Sequence, residues 1–324
     1  MPRRLLIALF VLCLLPSPTL WGQNPERLRV STLFIGASLL PLWVAQDRGY
    51  FARAGLDVEL IWIQSSLSTS ALLAGEVDLI FGTPQVTLTA LTSKNPPPLV
   101  AIGAWESSSE HWLVVHSSVK SVKELEGKTL ATSRLGSADH GYAIAILERN
   151  GADPKRVTFL SASGQGGRMA ALEAGRVTGS VFNRYFTVKL KKSGFRDIEK
   201  LERPDYPFPP STLIARKETL QAKRKELRLF IKALMEATEW QKSDKELCLQ
   251  LIRKKLRLED PEVIEVAYND SLTLSYPYFT ERQFQVALDL MGKSVGQTVD
   301  LSYKRFVDHS LLEEMTRSIS TAPR

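Results

Sequence analysis

ALLAGEVDLIFG, residues 71–82, comes back in altered form later in the chain as AALEAGRVTGSVF, residues 170–182. In each copy a stretch rich in Ala and Leu reaches a glycine, and a run of apolar and β-branched residues follows it. Glycine past a helix end supplies the left-handed turn that most residues resist. Each phrase therefore reads as helix, turn, strand, and the fold depends on what flanks the two copies.

Around the first copy, RLRVSTLF (27–34) alternates as a strand should, and IGAS (35–38) breaks it with small residues suited to a tight turn. LLPLWVAQDRG (39–49) carries Pro41 near a helix start and Gly49 at its end. FARAGLDVELIWI (51–63) reads as turn plus strand, with Gly55 free to take positive φ. QSSLSTS (64–70) offers hydroxyls to cap the helix that runs into ALLAG. After the strand VDLIFG, Thr83 and Pro84 open another helix, completing a β-α-β-α-β unit.

The second copy repeats that order. TLAT (129–132) reads as a strand that gives way to a Gly/Ser turn and the helix GYAIAILERNG (141–151). VTFLSASGQGGRMAALEAG (157–175) supplies strand, turn and helix, and RVTGSVFNRYF (176–186) reads as the third strand. Alternating strands and helices predict mostly parallel sheets with helices on their faces, hence an α/β chain of two similar lobes.

Composition sets the outer bounds. The 324 residues, 44% hydrophobic and 24% charged, suit a globular protein with a large core. Arg3 and Arg4 precede the apolar run LLIALFVLCLL (5–15), and Pro16, Pro18 and Gly22 follow, so residues 1–22 are read as a secretory signal peptide. Eleven apolar residues fall short of the roughly 20 that span a bilayer. Leu12 before Cys13 is not the small residue lipoprotein processing prefers, so lipidation is not expected. Removing Arg3 and Arg4 with the leader lowers the formal charge from +7 to +5. The short basic runs KRK (223–225) and RKK (253–255) read as solvated helix faces, which argues against a nucleic-acid partner. Only Cys248 remains after processing, so no internal disulfide forms, and Leu247, Leu251 and Ile252 around it predict a core thiol.

Four phrases in order, AQDRGYFARAGLDVEL (45–60), ALLAGEVDLIFGTPQ (71–85), SVKELEGKTLAT (121–132) and ALEAGRV (171–177), resemble the recurring sequence of the nitrate/taurine-type substrate-binding proteins of ABC importers. That family includes sulfonate binders and binders of thiamine-pyrimidine precursors, and the likeness runs from about residue 27 to 250. The resemblance implies a type II periplasmic-binding-protein fold, two-lobed, with C-terminal helices packing on lobe one. Lobe one is expected at 27–105 plus 211–324 and lobe two at 110–205, with crossings near 105–110 and 202–211. ERPDYPFPPS (202–211) reads as the return crossing, where Tyr206 or Phe208 could close over a ligand or the prolines could form a plain rigid linker. Leu227, Phe230, Leu234 and Thr238 at helical spacing, and the patterns at 244–257 and 281–292, supply the C-terminal helices.

In open α/β sheets ligands sit beyond the carboxyl ends of strands, near helix N-termini. Four turns qualify. In lobe one they hold Gly36, Ala37 and Ser38, then Gly82, Thr83 and Gln85. In lobe two they hold Ser133 to Ala138, with Gly136 and Ser137, then Ser161 to Arg168, with Ser163 and Gln165. Any βα turn is rich in Gly and Ser for backbone reasons, so the convergence of four on one gap is what marks a site. Arg134 is expected to hold a carboxylate, sulfonate or phosphate through paired hydrogen bonds. Asp139 is read as a helix cap and His140 as the histidine nearest the cleft. Trp105 and Glu106 follow the strand LVAIGA (99–104), where they could line the cleft or brace the hinge. Asn183 and Arg184 stand where the resembling family has an acidic or proline-containing turn, a departure that weakens any transfer of nitrate or taurine specificity.

Chemistry is not expected. The histidines at 111, 116, 140 and 309 lack metal-ligand spacing, and no GxSxG elbow or phosphate loop occurs. The expected protein is a periplasmic, monomeric solute receptor without cofactor or metal. It would take a small anionic or polar heterocyclic molecule and deliver it to a permease and its ATPase in the inner membrane. A ligand-presenting sensor for a membrane receptor and a cofactor-biosynthesis enzyme of the same fold stand as alternatives.

Overall fold

The computed structural model describes residues 26–107, 110–201, 209–295 and 299–320. The proposed signal peptide, Tyr206 and Phe208 lie outside them. Strands β1 (Glu26–Thr32), β2 (Leu56–Trp62), β3 (Leu79–Gly82) and β4 (Leu99–Ser107) join β10 (Ser211–Arg216) and β11 (Thr273–Ser275) in one sheet, ordered β11-β4-β10-β3-β1-β2. The second sheet holds β5 (His111–Val115), β6 (Thr129–Thr132), β7 (Thr158–Ser161), β8 (Gly179–Asn183) and β9 (Arg196–Leu201), ordered β7-β6-β8-β5-β9.

The two repeat units form the parallel part of each sheet. β1 runs parallel to β2 and β3, with Val30 opposite both Leu60 and Leu79. β6 runs parallel to β7 and β8. Each sheet also takes in one antiparallel strand beside its third: β10 between β3 and β4, and β5 between β8 and β9. In β3, Leu79 and Phe81 face one core and Ile80 the other. A central strand buried on both faces has no polar side to show, which is why VDLIFG reads as a continuous apolar run.

The helices are α1 (Leu40–Asp47), α2 (Tyr50–Arg53), α3 (Ser65–Ala74), α4 (Gln85–Leu91), α5 (Ala138–Arg149), α6 (Gly164–Glu173) and α7 (Arg184–Lys192). They continue with α8 (Lys217–Ala222), α9 (Arg224–Trp240), α10 (Lys245–Leu256), α11 (Pro261–Ser271), α12 (Glu281–Val295), α13 (Tyr303–Phe306) and α14 (Ser310–Ser320). Pro41 sits in the first turn of α1, and Gly75 and Gly175 take φ of 75° and 66° past the ends of the repeated helices. α3 begins without a side-chain cap, its N-cap being Gln64 rather than one of the serines. RVTGSVFNRYF is not one strand: β8 stops at Asn183 and α7 starts at Arg184.

α9 buries Leu227, Phe230, Ile231 and Leu234 against the first sheet's helices, with the rings of Phe230 and Phe51 stacked 5.0 Å apart. Each such side chain contributes about 1.5–3 kcal/mol by leaving water. Cys248 is fully buried, and burial pushes its thiol up to about 12. The KRK run is not merely solvated, since Lys223 Nζ lies 2.8 Å from Asp78 Oδ1 and Arg224 pairs with Glu314 at 2.6 Å.

The C-terminal helices reach both sheets. α12 packs on α5, with Leu290 in the second sheet's core, and α11 packs on α7, where Lys192 pairs with Asp260 at 2.5 Å and Glu262 at 2.6 Å. α12 reaches α5 because Gly141 leaves room: a β-carbon there would lie 2.9 Å from the Leu290 carbonyl oxygen.

Candidate ligand-binding cleft

The strand ends of the two sheets open on a cleft of about 730 Å³. All four βα turns reach it. Gly36 and Ser38 come from the turn after β1, Thr83 and Gln85 from the turn after β3, and Ser137 from the turn after β6. The turn after β7 and the N-terminal half of α6 contribute Ser163 to Met169, including Gln165, and β8 ends there in Asn183. Gln165 holds that strand end, its Oε1 accepting from the Asn183 N–H at 2.9 Å.

Seven of the expected residues lie elsewhere. Ala37 is buried in the first core, and Gly82 is glycine for packing, since a β-carbon there would lie 2.4 Å from Leu33 Cγ. Trp105 braces rather than lines: its indole donates to Thr238 Oγ1 at 2.9 Å and its ring stacks on Tyr276. Glu106 accepts from Ser275 Oγ at 2.7 Å and Gln283 Nε2 at 2.8 Å, joining β4 to β11 and α12. Arg134 does not reach the cleft either, and its guanidinium donates to the Leu135 carbonyl at 3.1 Å. Gly136, at φ 82°, donates its N–H to His140 Nδ1 instead of lining the wall. Arg184 is exposed outside the cleft. His140 is buried against Phe159, and the cleft histidine is His111, beside the Tyr142 ring.

The buried guanidinium that lines the cleft is Arg168, 3% exposed. It lies 3.3 Å from Asp139 Oδ2, donates to the Val181 carbonyl at 3.2 Å and bonds Ser133 Oγ. Asp139 is accordingly not a helix cap. Its carboxylate accepts from Ser133 N–H at 2.6 Å and Thr132 Oγ1 at 3.0 Å, tying the β6 turn to α6. Burial works against its charge, but Arg168 and these donors outweigh it and hold the carboxyl below its ordinary value. Burial likewise lowers Arg168, with Asp139 opposing. The pair is neutral as a unit, so the cleft floor carries no net charge from it.

Polar atoms without a protein partner mark the same floor. Gln85 is fully buried, and neither its Oε1 nor its Nε2 finds a protein partner. Asn183 Oδ1 and Arg168 Nε are in the same condition. A buried amide left unpaired costs about 1–3 kcal/mol per group, so such atoms persist where something else satisfies them. Phe34, Trp62, Tyr142 and Phe186 give the cleft flat apolar walls, while Lys189, Lys255 and Arg257 are exposed at its edge. Lys255 belongs to the RKK run, so that run is not only a solvated face. Sequence reasoning placed Arg168 at the end of a turn without a role. Its position in the second turn of α6, one strand away from Asp139, is the signal that a pattern of turns does not carry.

Among the described residues no helix is long and apolar enough to cross a membrane, and no group of His, Cys, Asp and Glu is arranged to hold a metal. The chain is 23% identical to YtlA of Bacillus subtilis over 309 residues, 91% of each chain. The fold matches the periplasmic aliphatic sulphonate binding protein SsuA of Escherichia coli with a TM-score of 0.68 at 18% identity, covering 87% of this chain and 91% of that one. It matches the periplasmic nitrate-binding protein NrtA of Synechocystis with a TM-score of 0.71 at 13% identity, covering 92% and 90%. The sequence model of the NMT1/THI5 like family matches residues 37–246, well over half of the chain. With its two α/β sheets closing on one cleft, the chain belongs to the NMT1/THI5-like family.

Proposed function

We propose that this chain is an extracytoplasmic solute receptor that captures a small molecule between its two lobes and passes it to an ABC importer. The observation that carries the reading is the convergence of four βα turns, two from each sheet, on a cleft whose buried amide and guanidinium atoms lack protein partners. A ligand that touches both sheets gains its full set of contacts only when they approach, so binding favours the closed form by that difference in affinity. The SsuA and NrtA likenesses support a receptor role in the periplasm, and the basic, apolar N-terminal segment supports export. Capture here needs no covalent step, because hydrogen bonds and apolar walls suffice for reversible binding.

Native mass spectrometry on the mature chain, incubated with a small-molecule extract, tests this reading. The expected result is one bound molecule per chain, released unchanged on denaturation. Continuous conversion of a metabolite, with product exceeding protein, would contradict it. For the importer, vesicles carrying a permease and its ATPase should take up that molecule only when the chain is added.

A further inference from the structure

The side chains at the cleft floor specify more than a small molecule. Gln85 offers one donor and one acceptor, both buried and both without a protein partner. Because both ends are orphaned, exchanging Oε1 and Nε2 changes nothing in that count. An amide in this condition is satisfied by a partner with an acceptor and a donor side by side, the pattern of another amide. Asn183 adds an unpaired amide oxygen from the other sheet, and Arg168 an unpaired Nε.

On the floor itself charge points the same way, the cations Lys189, Lys255 and Arg257 being exposed to solvent at the edge of the cleft. Arg168 is already matched by Asp139 at 3.3 Å, and Arg134 does not line the cleft. An anion on the floor would therefore meet a compensated guanidinium and a nearby carboxylate. Nitrate or a simple sulfonate is also all acceptor, so it would leave Gln85 Oε1 and Asn183 Oδ1 as unpaired as before. The aromatic walls of Phe34, Trp62 and Phe186 suit a flat body attached to the polar edge.

Resting on the receptor reading above, we infer that the ligand is an uncharged molecule with an amide-type edge on a flat ring, and that Gln85 is the residue that reads that edge. A ring amide meets both Gln85 atoms at once, whereas an anion or a plain hydrocarbon leaves at least one unpaired.

Calorimetric titration of the mature chain with uracil, cytosine and nicotinamide, alongside methanesulfonate and nitrate, tests the inference. Saturable binding of at least one ring amide and of neither anion is expected. Gln85→Leu, nearly the same size, should weaken that amide at least about 10-fold, and Gln85→Glu should weaken it too by removing the N–H donor. Melting curves of both variants without ligand show whether they fold, and the preference of the unaltered chain decides independently of them. Binding of an anion and of no amide overturns the amide-edge assignment while leaving the receptor reading intact. Unchanged amide affinity in a folded Gln85→Leu overturns the role of Gln85. No binding by either group overturns the assignment, and the mass-spectrometric experiment then judges the receptor reading separately.

Discussion

Asp139 and Arg168 are each too costly to bury alone and are held together where two turns of the second sheet meet. Removing one partner strands the other. Asp139→Ala should therefore lower unfolding stability by about 3 kcal/mol in urea melts, while a double replacement, Asp139→Leu with Arg168→Met, should recover much of the loss. Equal midpoints for Asp139→Ala and the unaltered chain would contradict the pairing. The sign with pH follows from the lowered carboxyl: its contribution is present above the ordinary carboxylate range and is lost as pH falls through the depressed value. At this scale the sequence was only partly legible. Ser137, Gln85 and Asn183 follow from their places after strands, but Arg134 and Arg168 occupy equivalent-looking turns. Which of them faces the cleft is decided by the helical phase of α6 and by the backbone around Gly136, neither of which leaves a pattern in residue types.

Elements that join the two sheets show a second kind of constraint. Asp270 of α11 is buried and accepts from the Tyr185 N–H at the start of α7, 3.3 Å away. Burial pushes its carboxyl up to about 7, opposed by the Tyr185 N–H and by Arg184, with Glu110 adding to the rise. Because the folded value is raised, the folded state keeps a proton that the unfolded chain has released above about pH 4. The stability tied to that proton is complete below about pH 4 and is lost as pH climbs toward 7. Asp270→Asn should therefore be more stable than the unaltered chain by on the order of 4 kcal/mol at pH 8 and close to it at pH 4. A difference that does not grow across urea melts between those values would contradict this account. On the other side of the molecule, Gly141→Ala forces a β-carbon against the Leu290 carbonyl and should cost about 1–3 kcal/mol by prising α12 from α5. A melting temperature equal to that of the unaltered chain would show that α12 can shift freely. Helix and strand order inside each repeat was readable because glycines and apolar runs punctuate it. β5, β9, β10 and β11 carry no such signal, since a strand that joins the sheet from outside the repeat unit is specified by its neighbours there.

For the molecule as a whole, the repeated phrase accounts for two sheets whose strand ends meet at one gap. The C-terminal helices do more than the resemblance implied, because α11 and α12 contact helices of the second sheet as well as the first. Any closing motion must pivot about those contacts, so it should bring the four turns together while the α12–α5 and α11–α7 packing is kept. What the chain alone could not reveal is the chemistry of the floor, which arises when residues from 85, 139, 168 and 183 meet across both sheets. The central claim is that a solute bridging the two sheets draws them closed. Small-angle X-ray scattering from the mature chain, alone and saturated with the compound that binds in calorimetry, measures this directly. The account predicts a smaller radius of gyration with ligand, and superimposable curves at saturation would contradict it.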